Sequence, residues 1–449
     1  MTPGARTPDS PKDPRDVVLD ALERVATEGA HASVALDRAL GGLARAADRS
    51  FATDVVYGTL RWAPAIDVAL GARLRDPDAL PARVRAALRA GTYERGVRGT
   101  PAHAAVHAWV EAIKRGRGPE AALAGLVNAV LRRVDLDDAE RRGGAAAAVA
   151  LPPALWRHLS AALGPEDAAA SARAMLAPAP LWLTVLGGGA VAALEAEGAE
   201  VRPGPLPTSK SVRPRRPLAE LSAFRDGLVQ PQNPSSAAIV SALGDVGGRT
   251  VLDVGSGHGV KAAQLAAAGA HVIAVEVDAG RSEAGRRNLA RLGFEVRHVV
   301  ADATEPLDGL PMVDAALLDA PCTGTGTLRG HPEIKQRWNE GDVRVAAARQ
   351  GALLRRVAER VRAGGRLVYA VCALGREEGE DVVVDFLAGA RDWRAAEVEL
   401  ALPTRAAEVG ARILPSVDGL DGFYVAVLER AALRERDPAP AEADPRARE

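Results

Sequence analysis

Asp314-Ala-Ala-Leu-Leu-Asp319-Ala-Pro-Cys322-Thr-Gly-Thr-Gly326 is the stretch on which the reading of this 449-residue chain turns. An apolar run ends in an acid, turns through a proline and presents a thiol at the mouth of a Gly/Thr-rich loop. A run of this kind reads as a buried strand of a parallel sheet, and loops diverge to admit ligands at the carboxyl end of such a strand. The chain holds only two cysteines, and the second closes another apolar run, Arg366-Leu-Val-Tyr-Ala-Val-Cys372. Two thiols are too few for a disulfide framework. Each at the end of an expected strand, they point instead to one reactive site.

Outward from these thiols, strands and helices alternate from Gly247 on, the pattern of βαβ units and a parallel sheet. Expected strands are Thr250–Val254, His271–Val277, Glu295–Ala301, Asp314–Leu318 and Arg366–Val371, with a final pair near Ile413 and over Phe423–Leu428. Expected helices include Ala262–Ala268, Arg281–Leu292 and Val343–Val361. The first strand runs into Asp253-Val-Gly255-Ser256-Gly257-His258-Gly259-Val260-Lys261. Glycines let the backbone approach a ligand, and a helix start offers free N–H groups. A dinucleotide fingerprint requires Gly-x-Gly-x-x-Gly, but Val260 stands at the third position. Glycines spaced one apart behind an acid fit S-adenosylmethionine (SAM) better than NAD. Glu276 ends the next strand, where it can accept from ribose hydroxyls, and Asp302 follows the third strand near the adenine. A generic Rossmann-like turn is the alternative.

In a singly wound sheet of this kind the fourth and fifth strands are neighbours, so Cys322 and Cys372 face one pocket beside the donor. A thiolate is required if the target is C5 of a pyrimidine, because that carbon is unreactive until sulfur adds at C6. One cysteine attacks and a second assists release. Asp319 is placed to hold the base edge, and Lys261 either lowers a thiol pKa or sits against a carboxylate. A lone cysteine is more often inert core; two in these places are not.

Of 57 basic residues only five are lysine; Lys261 falls in the glycine loop and Lys335 lies nine residues beyond Gly326. A compact, titratable charge is needed there where an arginine fork will not do. Cys/His spacing offers no four-ligand metal site. No run approaches the roughly 20 apolar residues of a membrane helix, and the N-terminus lacks the apolar core of a secretory signal. A soluble, cytoplasmic protein is expected. Net charge is -1, yet Arg83 to Arg133 carries ten Lys/Arg against three Glu, compatible with a phosphate-backbone partner.

From Asp16 to about Val134 apolar residues recur at helix spacing. Ala52–Leu60, Ala63–Leu74, Val84–Leu88, Ala102–Ile113 and Ala121–Val134 are among the stretches, and Pro81, Pro101 and Pro119 stand where helices start. Six or seven short helices are expected. Between the halves, Gly143–Ala150 and Leu151–Trp156 read as helical, Pro180–Leu186 as a strand, and Val201–Pro217 as a basic loop. That loop either touches nucleic acid or is a solvated linker.

Three stretches carry a resemblance: Phe51-Ala-Thr-Asp-Val-Val-Tyr57-Gly-Thr-Leu-Arg61, Pro101-Ala-His103 and Leu126-Val-Asn128-Ala-Val-Leu131-Arg132. They resemble the signatures of a NusB-type RNA-binding domain, although individual residues there could equally cap and pack helices. Asp319-Ala-Pro-Cys322-Thr-Gly-Thr-Gly-Thr-Leu-Arg329-Gly-His331-Pro-Glu-Ile-Lys335, Val368-Tyr-Ala-Val-Cys372 through Glu377-Glu378, and Asp421-Gly-Phe-Tyr424 resemble RNA cytosine-C5 methyltransferases. Specifically, they resemble the bacterial 16S ribosomal type, Sun/Fmu, that joins a NusB-like domain to the catalytic one. The resemblance implies Cys372 as nucleophile, Cys322 as the release-assisting thiol, and Asp319 and Lys261 as catalytic. It implies SAM contacts from Asp253, Gly255, Ser256, Gly257, His258, Gly259, Val260, Lys261, Glu276, Asp302 and Asp319. Where the family reads Ala-Pro-Gly-Gly-Lys this chain has Gly257 to Lys261, and Val371 replaces the family's threonine. Arg329 and Lys335 are candidates for RNA-backbone contacts, and His331 for positioning RNA.

The expected organisation is a disordered arm (1–12), a helical RNA-binding domain (13–138), a connecting α/β subdomain with a basic linker (139–245), a Rossmann-like SAM methyltransferase domain (246–430) and a disordered tail (431–449). The expected function is methyl transfer to C5 of a cytosine in small-subunit ribosomal RNA by a monomer. The alternatives are another RNA such as transfer RNA, or a non-catalytic RNA-binding or assembly factor.

Overall fold

Asp13 caps the first helix by accepting from the Arg15 N–H, Pro14 opens it and Gly29 ends it in the left-handed region, the residue types each position favours. The computed structural model describes residues 12–116, 119–416 and 418–432. The expected arm and tail lie outside these residues, apart from Lys12, Ala431 and Ala432. Helices α1 (Pro14–Glu28), α2 (Ala32–Leu40), α3 (Ala46–Gly71), α4 (Ala82–Gly96), α5 (Ala102–Arg115) and α6 (Ala124–Leu131) share one apolar core. Val17, Val18, Leu60, Ile66, Trp109 and Ile113 are buried in it.

The stretches Ala52–Leu60 and Ala63–Leu74 are not two helices. They are parts of α3, 26 residues long with Pro64 inside. An interior proline costs about 3 kcal/mol, and burial of Leu60, Ala63, Ala65, Ile66, Ala69 and Leu70 along the same helix outweighs it. Pro81 and Pro101 do stand at the N-caps of α4 and α5. Pro119 precedes only a short 3₁₀ turn, Ala121–Leu123. Helices α7 (Asp137–Ala148), α8 (Pro153–Leu163) and α9 (Pro165–Ala174) lead out of this unit.

Strands β1 (Leu181–Val185), β2 (Glu200–Pro203), β3 (Ser209–Arg213) and β4 (Val229–Pro231) form a four-stranded antiparallel sheet, with α10 (Ala190–Ala196) and α11 (Ser222–Arg225) beside it. The basic segment Val201–Pro217 is therefore not a plain loop, because it holds most of β2 and all of β3. Pro203 is tolerated because β2 is the sheet edge, paired on one side only.

After α12 (Pro234–Ser241) come β5 (Thr250–Val254), α13 (Val260–Ala267), β6 (His271–Glu276), α14 (Ala279–Arg291), β7 (Arg297–Val300), β8 (Val313–Asp319), α15 (Ile334–Arg337), α16 (Glu340–Arg360), β9 (Val361–Val371) and α17 (Glu380–Gly389). The chain closes with β10 (Trp393–Ala396), β11 (Arg405–Ala406), β12 (Ala411–Ile413) and β13 (Phe423–Arg430). The sheet order is β11-β12-β13-β9-β8-β5-β6-β7, with β10 on β13. The pairs from β9 to β7 are parallel, and β13 is antiparallel to β9. The winding departs from expectation: the chain steps one way from β5 and then returns to place β8 on its other side. Helices α12, α13 and α14 cover one face and α16 and α17 the other, each with its own apolar layer. The switch point between β5 and β8 opens a crevice at the strands' carboxyl ends.

Candidate active site

Neighbouring strand ends set the two thiols side by side. Asp319 ends β8 opposite Ala370 of β9, and the loops beyond are laced together. The Ala320 N–H donates to the Ala370 carbonyl at 2.9 Å, and the Gly326 N–H to the Cys372 carbonyl at 2.8 Å. The Leu374 N–H donates to the Thr325 hydroxyl at 2.9 Å. A side chain at Gly326 would fall 2.2 Å from the Gly422 carbonyl oxygen, so only glycine fits. The result is a Cys322 Sγ to Cys372 Sγ distance of 3.3 Å. The Cys322 thiol is pushed well above its usual range by its hydrogen bond with Cys372, by burial and by the charge of Glu378. Cys322 therefore holds its proton and offers it towards Cys372.

Next to the thiols, Lys261 Nζ lies 2.6 Å from Asp319 Oδ2. Burial works against the ammonium, but the Asp319 carboxylate and its hydrogen bond more than offset this and raise the Lys261 pKa. Asp253, fully buried at the end of β5, is pushed up to about 7 by burial despite the charge of Lys261. Lys261 thus makes the second of the two roles open to it, an ion pair with a carboxylate.

Gly255, Gly257, Glu276, Asp302 and Asp319 line a single cleft at the ends of β5, β6 and β8. Gly255, at φ 78°, passes so close to β8 that a Cβ would sit 2.3 Å from the Asp319 carbonyl oxygen. Glu276 accepts from the Gly257 and Asp278 N–H groups, both at 3.0 Å, and pairs with Arg281. Asp302 is exposed and held below its usual range by bonds from the Thr304 N–H and hydroxyl. A glycine floor between two spaced acids suits a donor with a ribose and an amino-bearing base, so SAM fits these residues. Asp253, Ser256, His258, Gly259, Val260 and Lys261 do not line this cleft. Asp253 lies beneath it, His258 is exposed, and Gly259 and Val260 open α13. Sequence reading missed Arg281, Arg349 and Leu353, which line it too. The four-residue spacing of Arg349 and Leu353 along α16 put them on one face, but nothing local said which.

Beyond Cys322 the motif turns away from the surface. Arg329 and Lys335, expected to reach an RNA backbone, are buried. Arg61 Nε donates to the Arg329 carbonyl at 2.9 Å, and Lys335 Nζ donates to the carbonyls of Arg61 and Ala150 at 2.8 and 3.0 Å. Arg329 reaches the Ser416 carbonyl. These residues join the helical unit to the catalytic sheet, because buried donors need acceptors and the junction supplies carbonyls. His331 remains exposed beside buried Glu333, as does His31, the residue before α2. These three bring ligand-type atoms within 4.8 Å of one another, but Arg337 Nη2 sits 3.3 Å from His31 Nδ1, so the cluster is a charge-compensated seam.

On the helical unit His103, His107, Lys114, Asn128 and Arg132 line one open groove, which unites two of the three signature stretches. The basic excess around it is largely matched by acids: Arg83, Arg85, Arg89, Arg98, Lys114 and Arg115 each pair with a carboxylate. Among the described residues no helix is long and apolar enough to cross a membrane.

Comparison with known proteins bears on both halves. Residues 12–135 match the NusB family, and residues 240–429 match the family model described as 16S rRNA methyltransferase RsmB/F. The chain is 40% identical over 421 residues to ribosomal RNA small subunit methyltransferase B of Thermus thermophilus, covering 93% of this chain and 98% of that protein. The protein of the same name from Xanthomonas campestris is 33% identical, over 92% of this chain and 95% of its own length. Among solved structures, PH0851 shares the fold at 23% identity, with a TM-score of 0.79 over 93% of this chain and 99% of that one. The chain belongs to the RsmB/F family of SAM-dependent 16S rRNA methyltransferases.

Proposed function

We propose that this protein methylates C5 of a cytosine in small-subunit ribosomal RNA through a transient bond between Cys372 and C6. The observation that carries this reading is the pair of sulfurs 3.3 Å apart beside the Lys261–Asp319 pair at the edge of the donor cleft. Cys372 is the attacking sulfur, since Cys322 keeps its proton and directs it towards Cys372. Asp319 accepts from the exocyclic amine of the base and from the N–H that N3 gains when sulfur adds, and Lys261 fixes that carboxylate and its charge. Cys372 gives its thiol proton to N3 as its sulfur adds at C6, which moves the ring's double-bond electrons to C5, and N3 returns that proton to solvent once C5 carries the methyl. SAM supplies the electrophilic methyl that C5 takes up. In release, the C5 proton passes to Cys322 as the Cys322 proton passes to the departing Cys372 sulfur. The C6–S bond breaks and the C5–C6 double bond returns, leaving both thiols as they began.

The cytosine must leave its stack to meet both sulfur and donor, which costs least in single-stranded or loop RNA. The names of the curated relatives support the small-subunit substrate, and the groove at His103, Asn128 and Arg132 supports contact with RNA by the helical unit. The test uses 16S rRNA transcribed in vitro with SAM. Cys322→Ala is expected to accumulate a denaturant-stable protein–RNA adduct, and Cys372→Ala neither adduct nor 5-methylcytosine. A methylating Cys372→Ala variant with no adduct in Cys322→Ala overturns the reading.

A further inference from the structure

Glu378, six residues beyond Cys372, is fully buried and has so far entered only through its charge, one of the causes that raise the Cys322 pKa. Its carboxylate accepts from the Thr323 N–H at 2.8 Å, from the Thr323 hydroxyl, and from Gln350 Nε2 at 3.2 Å. The same Gln350 nitrogen donates to the Pro321 carbonyl at 2.9 Å. Pro321 and Thr323 flank Cys322, so one carboxylate and one amide grip the chain on both sides of that thiol. The Glu378 carbonyl in turn accepts from the Tyr369 hydroxyl at 2.6 Å, and Tyr369 lies on β9 three residues before Cys372. A buried carboxylate is costly unless its oxygens are satisfied, and here the partners all belong to the Cys322 loop or to the helix behind it.

Cys372 does not depend on this grip. It follows β9 directly, and that strand end is fixed by pairing with β8 on one side and β13 on the other, where Val371 stands opposite Tyr424. Loss of Glu378 therefore frees one thiol and leaves the other in place.

We infer that Glu378 is the positioning residue for Cys322: through Thr323 and Gln350 it holds that thiol against Cys372, and so governs release of the methylated base and not the attack on it. This inference rests on the covalent route proposed above. It is tested in single-turnover reactions of the full-length protein with in vitro transcribed 16S rRNA and SAM, following adduct formation and adduct resolution separately. Glu378→Gln is expected to slow resolution on the order of 10- to 100-fold while formation stays within a factor of about three of the wild type. Thr323→Val, which removes one donor and keeps the buried carboxylate, is expected to move the same ratio less far. Equal losses in both steps mean general loosening and overturn the inference, as does an unchanged ratio in both variants. Cys322→Ala in parallel separates the two readings. If it traps adduct while Glu378→Gln and Thr323→Val leave the ratio unchanged, only the role of Glu378 fails; if it forms no adduct, the covalent route fails with it.

Discussion

Lys261 and Lys335 are two of only five lysines in the chain, the first largely and the second fully buried within motif segments, and their surroundings treat the ammonium in opposite ways. Lys261 has a carboxylate 2.6 Å away, and its pKa is raised. Lys335 has only carbonyls, from Arg61 and Ala150, and burial with the nearby Arg61 charge brings it down to about 7. Burial alone disfavours either charge; the neighbour decides the outcome. One lysine is a fixed cation paired with Asp319, the other a titratable donor that closes a domain junction.

The sharpest way to break this contrast is Lys261→Met. If Lys261 serves by fixing Asp319 and its charge, methylation falls roughly 100-fold or more while the denaturation midpoint moves little. The readout is initial rate of methyl incorporation beside a urea melt. Equal activity would mean that Asp319 needs no cation, and the distinction between the two lysines would be one of burial only.

Lys335→Met tests the other side through stability. Its folded pKa, about 7, lies below the ordinary lysine value of 10.5. Between those values the unfolded chain binds more protons, so wild-type stability rises with pH across that window. Below about pH 7 both states carry the proton and the full cost of the buried charge remains. The expected slope from this group is at most about 1.4 kcal/mol per pH unit, read from urea midpoints between pH 7 and 10, and Lys335→Met should flatten it. Lys261, with its pKa raised, contributes no such rise in that range.

The same contrast marks what could be read from residues alone. Both thiols, Asp319, the glycine loop and Glu276 were legible because each sits at or just beyond the end of a strand whose apolar run is local, and a parallel sheet turns neighbouring ends into neighbouring groups. The junction was not. Arg61 meets Arg329 across 268 positions and Lys335 meets the Arg61 carbonyl across 274, and nothing near either residue says that it faces inward. Basic residues in an RNA-associated motif invite a surface reading, the one made for Arg329 and Lys335, and their burial against carbonyls overturns it. Strand β2 was hidden for a related reason: an edge strand tolerates proline and polar residues, so its pattern resembles a loop. Glu378 stood in a quoted motif, but its grip on Thr323 depends on how two strand ends are paired.

The smallest expected effect separates the seam's exposed rim from its buried centre. His331 is held above its ordinary value by its hydrogen bond to Glu333, which outweighs burial. A raised histidine stabilises the fold while protonated, so its contribution is present below the unfolded value of 6.5 and is lost as pH rises through the higher folded one. The side chain is 52% exposed, and solvent screening limits the effect to no more than about 1 kcal/mol. His331→Ala should therefore lower the urea midpoint slightly at pH 5.5 and leave it unchanged at pH 8.5, the opposite trend to that carried by Lys335. A loss of equal size at both pH values would mean that the ring stabilises by packing, and that only the buried lysine gives this junction its pH dependence.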